Sequence, residues 1–496
     1  MVKIGFDNEK YILTQSEHIR ERIANFGGKL YLEFGGKLFD DYHASRVLPG
    51  FEPTSKLKML MAMKEQAEII IVINAEAIET AKVRQDLGIT YDQDVFRLID
   101  AFHEAGLYVG SVCLTRYAAA QKGTRLFERT LNRQGIKTYH HYSIPNYPYD
   151  LDRIVSDDGY GKNDYIETTR SLVVVTAPGP GSGKMATCLS QLYHDSKRGL
   201  KSGYAKFETF PIWNLPLKHP VNLAYEAATA DLADVNMIDP YHLEAYGISA
   251  VNYNRDVEIF PVLNRIFERI YGASPYKSPT DMGVNMAGNC IIDDAACCEA
   301  SRQEIIRRYL RSLVDRRNEK ADDGVVEKLD ALMKANGILV EERKCIAPCL
   351  AKAAKTGKPA ACIELPDGTL ITGKTSNLLG CVSAMMINAL KHLAGLPDQM
   401  NLLTPAIIEP ICELKTQGLG GHNPRMHLDE ILIALSISAV TNPIADLAMK
   451  QLPKLRGAQV HTSVILSQVD NNCLHKLGID NTSEPMYGSK KLYHAK

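Results

Sequence analysis

Between Ser171 and Asp195 the chain reads SLVVVTAPGPGSGKMATCLSQLYHD, and this stretch carries the strongest chemical signal in the sequence. The apolar, β-branched run Leu172 to Val175 predicts a strand, and a helix-forming segment starts near Lys184. Between them, Gly179, Gly181, Ser182 and Gly183 can turn successive backbone N–H groups toward one point. The helix N-terminus adds partial positive charge there, and Lys184 can reach the outer oxygens of a bound phosphate. This is the chemistry of a phosphate cradle, suited to a nucleotide with Mg²⁺ or to another small phosphorylated molecule.

The cradle departs from the Gly-x-x-x-x-Gly-Lys-Ser/Thr pattern. Pro178 stands at the first glycine, and Met185 stands where a hydroxyl normally ligates magnesium. Thr187, the nearest hydroxyl on the helix, lies three residues beyond Lys184 and is taken with the loop residues as a candidate cofactor contact. A protein that binds without turnover, and a structural turn with a solvated lysine, are the alternative readings. Residues 368–375 (GTLITGKT) match the pattern letter for letter in the wrong context. ACIELPDGTLITGK reads as a hairpin turning at Pro366-Asp367-Gly368, and a strand cannot curl around a phosphate. Gly373 to Ser376 is expected to open a helix running to about Leu393, capped by Thr375 or Ser376.

The densest polar cluster, GLGGHNPRMHLDE at 418–430, offers His422 and His427 as acid–base groups and Arg425 as an anion clamp. These three would act from a third region across a cleft on a ligand held at Lys184. The competing reading is a surface loop ahead of a helix that has Asp429 in its cap or first turn. Tyr276 to Asp281, followed by Asn285, Asn289, Asp293 and Asp294, can ligate Mg²⁺ or simply form turns. His43 and Arg46 follow a predicted strand and fall near a sheet edge. The eleven cysteines are odd in number and lie largely in helix or strand patterns, which reads as reduced thiols. Cys345, Cys349 and Cys362 lack the paired spacing of a zinc site, His-Glu-x-x-His is absent, and no metal-ligand set is expected.

The elements that must position these groups alternate in the first half. Strands are expected at 29–34, 68–74, 107–113, 171–176 and 203–209, with helices at about 15–26, 54–65, 92–105 and 118–132. Continuous apolar strands separated by helices predict an α/β fold with a doubly wound parallel sheet, whose ligands bind at the carboxyl ends of the strands. From about Pro220 the pattern turns helical, and past Ile338 it mixes again. The expected division is a P-loop-like α/β domain at 1–219, a helical section at 220–337 and a C-terminal α/β domain at 338–496.

Lys plus Arg (57) balances Asp plus Glu (58), so no net field favours nucleic acid or an anionic membrane. No apolar run spans a bilayer, and the charged start MVKIGFDNEK is unlike a signal peptide, so a cytoplasmic location is expected. Homo-oligomerisation is expected only on the general frequency of symmetric assemblies.

The strings YHASRVLPGF (42–51), TAPGPGSGKM (176–185), YEAATADL (225–232) and GGHNPRMHLDE (420–430) resemble a bacterial family over essentially the whole chain. That family is domain of unknown function family 1846, which has no established activity. The resemblance implies a nucleotide-binding-like α/β region, a helical section and a C-terminal α/β domain of deaminase-like topology. Members have been labelled ATP-dependent zinc proteases; His-Glu-x-x-His is absent here, as is the pairing of His-x-Glu with Pro-Cys-x-x-Cys that a deaminase site needs. The family reading brings no catalytic residues. The chain is therefore read as a transferase or ligase acting on a phosphorylated metabolite, or as a non-catalytic sensor of one.

Overall fold

The apolar runs of the first half become strands that all point the same way. In the computed structural model, which describes residues 3–35, 38–39, 41–84, 87–232 and 234–488, the chain separates into two units. One comprises residues 4–226 and 232–300; the other comprises 301–496 with residues 1–3 and 227–231.

The first unit is built on a seven-stranded sheet. Its strands are β1 (Leu30–Phe34), β2 (Ala67–Asn74), β3 (Tyr108–Thr115), β4 (Lys137–His141), β5 (Leu172–Thr176), β6 (Gly203–Phe207) and β7 (Gly283–Val284). They lie in the order β7-β6-β1-β5-β2-β3-β4, and every pairing is parallel. Both faces are covered, as the unbroken apolar runs require. Tyr31, Ile70, Val72, Val173 and Val175 pack with Cys188, Leu189 and Leu192 of the Lys184–Lys197 helix. The alternate set Leu30, Leu32, Ile69, Ile71, Leu172 and Val174 is equally buried.

The strand order puts β5 at a special place. Its connection runs to β6 on one side, whereas those leaving its neighbours β1 and β2 run to the other. In sheets of this order right-handed crossovers carry the following helices to opposite faces, and the carboxyl ends at such a switch point are where ligands bind.

Two expectations about strands need correction here. Strands do not stop at Pro220: Asn236–Ile238 pairs with Val251–Tyr253, and β7 extends the main sheet. Runs of two or three residues are too short to show a period. The edge strand β4, KTYHH, is absent from the expected set, because its polar alternation lacks an apolar run. Residues 232–300 of the expected helical section lie in the same unit as the sheet.

The second unit holds a four-stranded sheet of β8 (Ala360–Glu364), β9 (Leu370–Lys374), β10 (Gln459–Thr462) and β11 (Asp480–Ser483) in the order β9-β8-β10-β11. β8 pairs antiparallel with both β9 and β10, while β10 and β11 are parallel. The hairpin turning at 366–368 is present, so GTLITGKT does form a returning strand. The helix expected from residue 376 begins instead at Cys381. Ser376 Oγ accepts the Leu378 and Leu379 N–H groups in a local turn, which delays the helix, and Gly380 is its N-cap. The strand expected over 459–466 ends at Thr462.

Among the described residues no helix is long and apolar enough to cross a membrane.

Candidate functional site

The glycine-rich loop leaves β5 at the carboxyl edge and feeds the Lys184–Lys197 helix. Gly181 (φ +74°) and Gly183 (φ +93°) occupy left-handed backbone, which glycine adopts without the Cβ penalty of other residues. Two contacts lock the loop. Thr115 Oγ1, at the end of β3, donates to the Ser182 carbonyl at 2.6 Å, and Ser182 Oγ donates to the Gly179 carbonyl at 2.8 Å. A Cβ at Gly179 would lie 2.3 Å from the Tyr91 hydroxyl, so any larger residue would have to displace the Tyr91 ring.

The first intrahelical bond runs from Thr187 N–H to the Gly183 carbonyl. Among the described residues, the N–H groups of Gly181, Ser182, Gly183, Lys184, Met185 and Ala186 have no acceptor within the protein. A helix leaves its first N–H groups unpaired, and the loop prolongs that series backwards through two glycines. Gly181 is exposed and Lys184 half-buried. Thr187 is fully buried in the core, and among the described residues its hydroxyl has no hydrogen-bond partner.

Two strands away stands a group of ionisable side chains that the sequence alone does not assemble. Glu33 of β1 is in register with Val175 of β5 on one side and with Lys206 of β6 on the other. Two strand spacings, roughly 10 Å, therefore separate Lys206 from the foot of the glycine loop along the sheet. Lys206 is 8% exposed, and its ammonium contacts Asp256, the Tyr253 hydroxyl and, at 2.6 Å, Glu208. The Tyr253 hydroxyl also donates to Glu208, and the Tyr204 hydroxyl donates to Glu33 at 2.7 Å.

Two carboxyl groups thus hold one ammonium, and the charge of a third, Glu33, acts on it from the neighbouring strand. Burial and the Asp256 charge push the Glu208 carboxyl up to about 7, against the opposing pull of Lys206. Burial alone would depress the Lys206 ammonium, but Asp256, Glu208 and Glu33 outweigh it and raise it well above its ordinary value. Glu208 also lines a cavity of about 250 Å³ shared with His18, Arg22, Trp213, His242 and Thr280. A carboxyl that exchanges its proton near neutrality, beside a fixed ammonium and an open cavity, can act as a general acid or base. The sequence does hold a signal: GYAKFET reads as an interior strand, and a lysine there must find buried partners.

In the second unit His422 and Arg425 are exposed, and Arg425 Nε donates to the Ser376 carbonyl at 2.9 Å. His427 is half-buried at the N-cap of the Leu428–Ala439 helix. Its Nδ1 lies 3.1 Å from Asp470, whose other oxygen accepts the Leu428 N–H at 2.9 Å. That hydrogen bond holds the His427 imidazole above its ordinary range, and Asp470 below its own. Asp429 sits in the first turn, but Glu430 accepts the His427 N–H and closes the helix start.

Two family models match the chain. The N-terminal model of DUF1846, a domain of unknown function, covers residues 4–337, and the C-terminal model covers 341–493. The chain belongs to the DUF1846 family. Its curated relatives include the UPF0371 proteins of Streptococcus pyogenes serotype M28, at 56% identity, and Streptococcus uberis, at 57%. Each alignment runs over 493 residues, 99% of this chain and all of the relative.

Other residues of this DUF1846 chain have structural duties. Asn285 donates to the Thr209 and Pro211 carbonyls, Asn289 pairs with Asn214, and Asp293 caps Ala296 N–H, so these form turns. His43 is packed against Phe210 and Tyr225. Cys345, Cys349 and Cys362 share a small buried cluster with Ala360. Cys349 Sγ donates to the Ala360 carbonyl, and burial pushes the Cys362 thiol up to about 12. All eleven cysteines are present as thiols.

Proposed function

We propose that this DUF1846 protein is an enzyme that binds a phosphorylated small molecule, a nucleotide or another metabolite, at the Gly179–Lys184 loop. Glu208 and Lys206 supply acid–base and charge-stabilising chemistry beside it, as a group transfer or ligation requires. The observation that carries the reading is the unbroken series of unpaired N–H groups from Gly181 to Ala186, at the carboxyl edge beside β5. Phosphate oxygens accept several such hydrogen bonds at once, and the helix dipole favours their charge. Gly179 shapes the loop, and Lys184 neutralises the bound anion. Thr187, buried below, supports the helix rather than facing the ligand.

Met185 favours a second reading, in which the ligand is sensed and not turned over, because the magnesium-ligating hydroxyl is missing. The His427–Asp470 pair supports a separate acid–base role for the second unit, with Nδ1 held and Nε2 available for proton transfer, and with Arg425 and His422 as exposed contacts for an anion. The deaminase-like topology proposed for that unit brings no deaminase chemistry, because its paired zinc signature is absent.

The test is a thermal-shift screen of nucleotides, sugar phosphates and inorganic phosphate, with and without Mg²⁺. A ligand of the native state raises the melting temperature in proportion to its occupancy. A shift in the wild type that Lys184→Ala abolishes supports the site, and turnover lost in Glu208→Gln with binding retained supports catalysis. A shift unchanged in Lys184→Ala, or no shift with any phosphorylated compound, removes the proposal.

A further inference from the structure

A thiol, a carboxylate and an imidazole converge on one point away from the glycine loop. Asp294 and Cys298 stand one turn apart at the start of the Asp294–Arg317 helix, so their side chains share a face. His219 reaches them from just before the Pro220–Ala228 helix. Its Nε2 lies 2.9 Å from Asp294 Oδ1 and 3.5 Å from Cys298 Sγ, and that sulfur lies 3.7 Å from Asp294 Oδ2.

Without a cation, Asp294 accepts from His219 Nε2–H and from the Cys298 thiol, and the same three donor atoms also lie close enough together to share one ion. Bonds of about 2.0–2.3 Å in a tetrahedral zinc site separate its donor atoms by roughly 3.3–3.6 Å. Both sulfur distances stand at or next to that spacing, and the shorter imidazole–carboxylate distance is set by the proton that a cation would replace. On replacement the ring proton moves to Nδ1, so the 3.3 Å approach of Val221 N–H to Nδ1 is the contact that has to loosen.

We propose that His219, Asp294 and Cys298 bind one divalent transition-metal ion of the zinc class. A mixed sulfur, nitrogen and oxygen set selects zinc, cobalt or their neighbours over magnesium and calcium, which prefer oxygen. Three protein ligands leave a fourth position for water. The geometry provides both support and access, because the His219 side chain is 9% exposed and that of Asp294 63%.

The experiment is a Co²⁺ titration of the full-length protein after stripping with a chelator, followed by absorbance. One equivalent should bind, with the visible bands of a four-coordinate site and a thiolate-to-cobalt charge-transfer band, and one equivalent of Zn²⁺ should displace it. Cys298→Ser, isosteric and at a partly exposed position, should lose the charge-transfer band while keeping the wild-type circular dichroism. Loss of a group that merely hydrogen-bonds a metal ligand already costs about 10–100-fold in affinity, so Asp294→Asn and His219→Ala should weaken binding by at least that much. Absence of equimolar uptake by the stripped wild type overturns the proposal, as does an unchanged charge-transfer band in Cys298→Ser.

Discussion

Glu208→Gln should flatten the pH dependence of stability in the first unit. In the folded protein burial and Asp256 push this carboxyl from 4.5 up to about 7. Its folded pKa is therefore raised above the unfolded one, so its contribution is fully present below about pH 4.5 and is lost as pH rises through about 7. A difference of one pH unit between folded and unfolded values is worth about 1.4 kcal/mol, so the loss between those limits is roughly 3 kcal/mol. The side chain is 14% exposed, so solvent screening removes little of this. Glutamine keeps the volume and one acceptor for Lys206 or Tyr253 but cannot ionise. The assay is urea unfolding of wild type and variant at half-unit steps from pH 4.5 to 8, read as their difference so that other titrating groups cancel. Infrared spectroscopy supplies a second reading, in which a protonated-carboxyl band of the wild type near pH 6 is missing from the variant. Parallel stability curves, together with identical infrared spectra, would refute the reading of Glu208 and Asp256 competing for one ammonium.

Two other perturbations bear on the loops. Gly183→Ala forces a Cβ into left-handed backbone and to 3.1 Å from the Thr115 side chain that holds Ser182. It should cost about 1–2 kcal/mol and abolish any phosphate-dependent rise in melting temperature, which the thermal-shift screen reads directly. Asp470→Asn removes the charge that raises His427, so the imidazole pKa read by NMR should fall back toward its ordinary value. The pair strengthens the fold where both are charged. The His427 share is present below its ordinary 6.5 and is lost as pH rises through its folded value, while the Asp470 share is present above 3.8 and is lost as pH falls through its depressed one. Asp470→Asn should therefore cost most between those limits, as thermal melts across pH would show.

What is legible in the sequence follows from how far apart the interacting residues lie. The glycine loop is local: strand, turn and helix start occupy a single run, and each residue's preference agrees with its neighbours. The long interior strands are legible for the same reason, since burial on both faces leaves an unbroken apolar record. β4 and β7 leave none, one being polar and at an edge, the other two residues long. At Ser376 a side-chain turn competes with the helix and wins, a contest that propensity alone does not decide.

The acid–base group behaves differently, and the reason is energetic. A lysine in an interior strand is tolerable only when opposite charge and hydrogen bonds replace the water it has lost. For Lys206 one partner, Glu208, lies two residues on, but the other, Asp256, lies 50 residues onward. His219 and Asp294 are likewise 75 residues apart. No short window along the chain contains the distant partners, yet the need for them is visible at one end, because a charged residue in an apolar run demands buried company. A lone charge inside an interior strand therefore marks where a polar site must assemble, even when the sequence withholds the residues that complete it. In this protein that mark falls near the carboxyl end of β6, two strands from the loop whose N–H groups are unpaired, and it is the presence of two independent polar features along one edge that makes it the place where chemistry is expected.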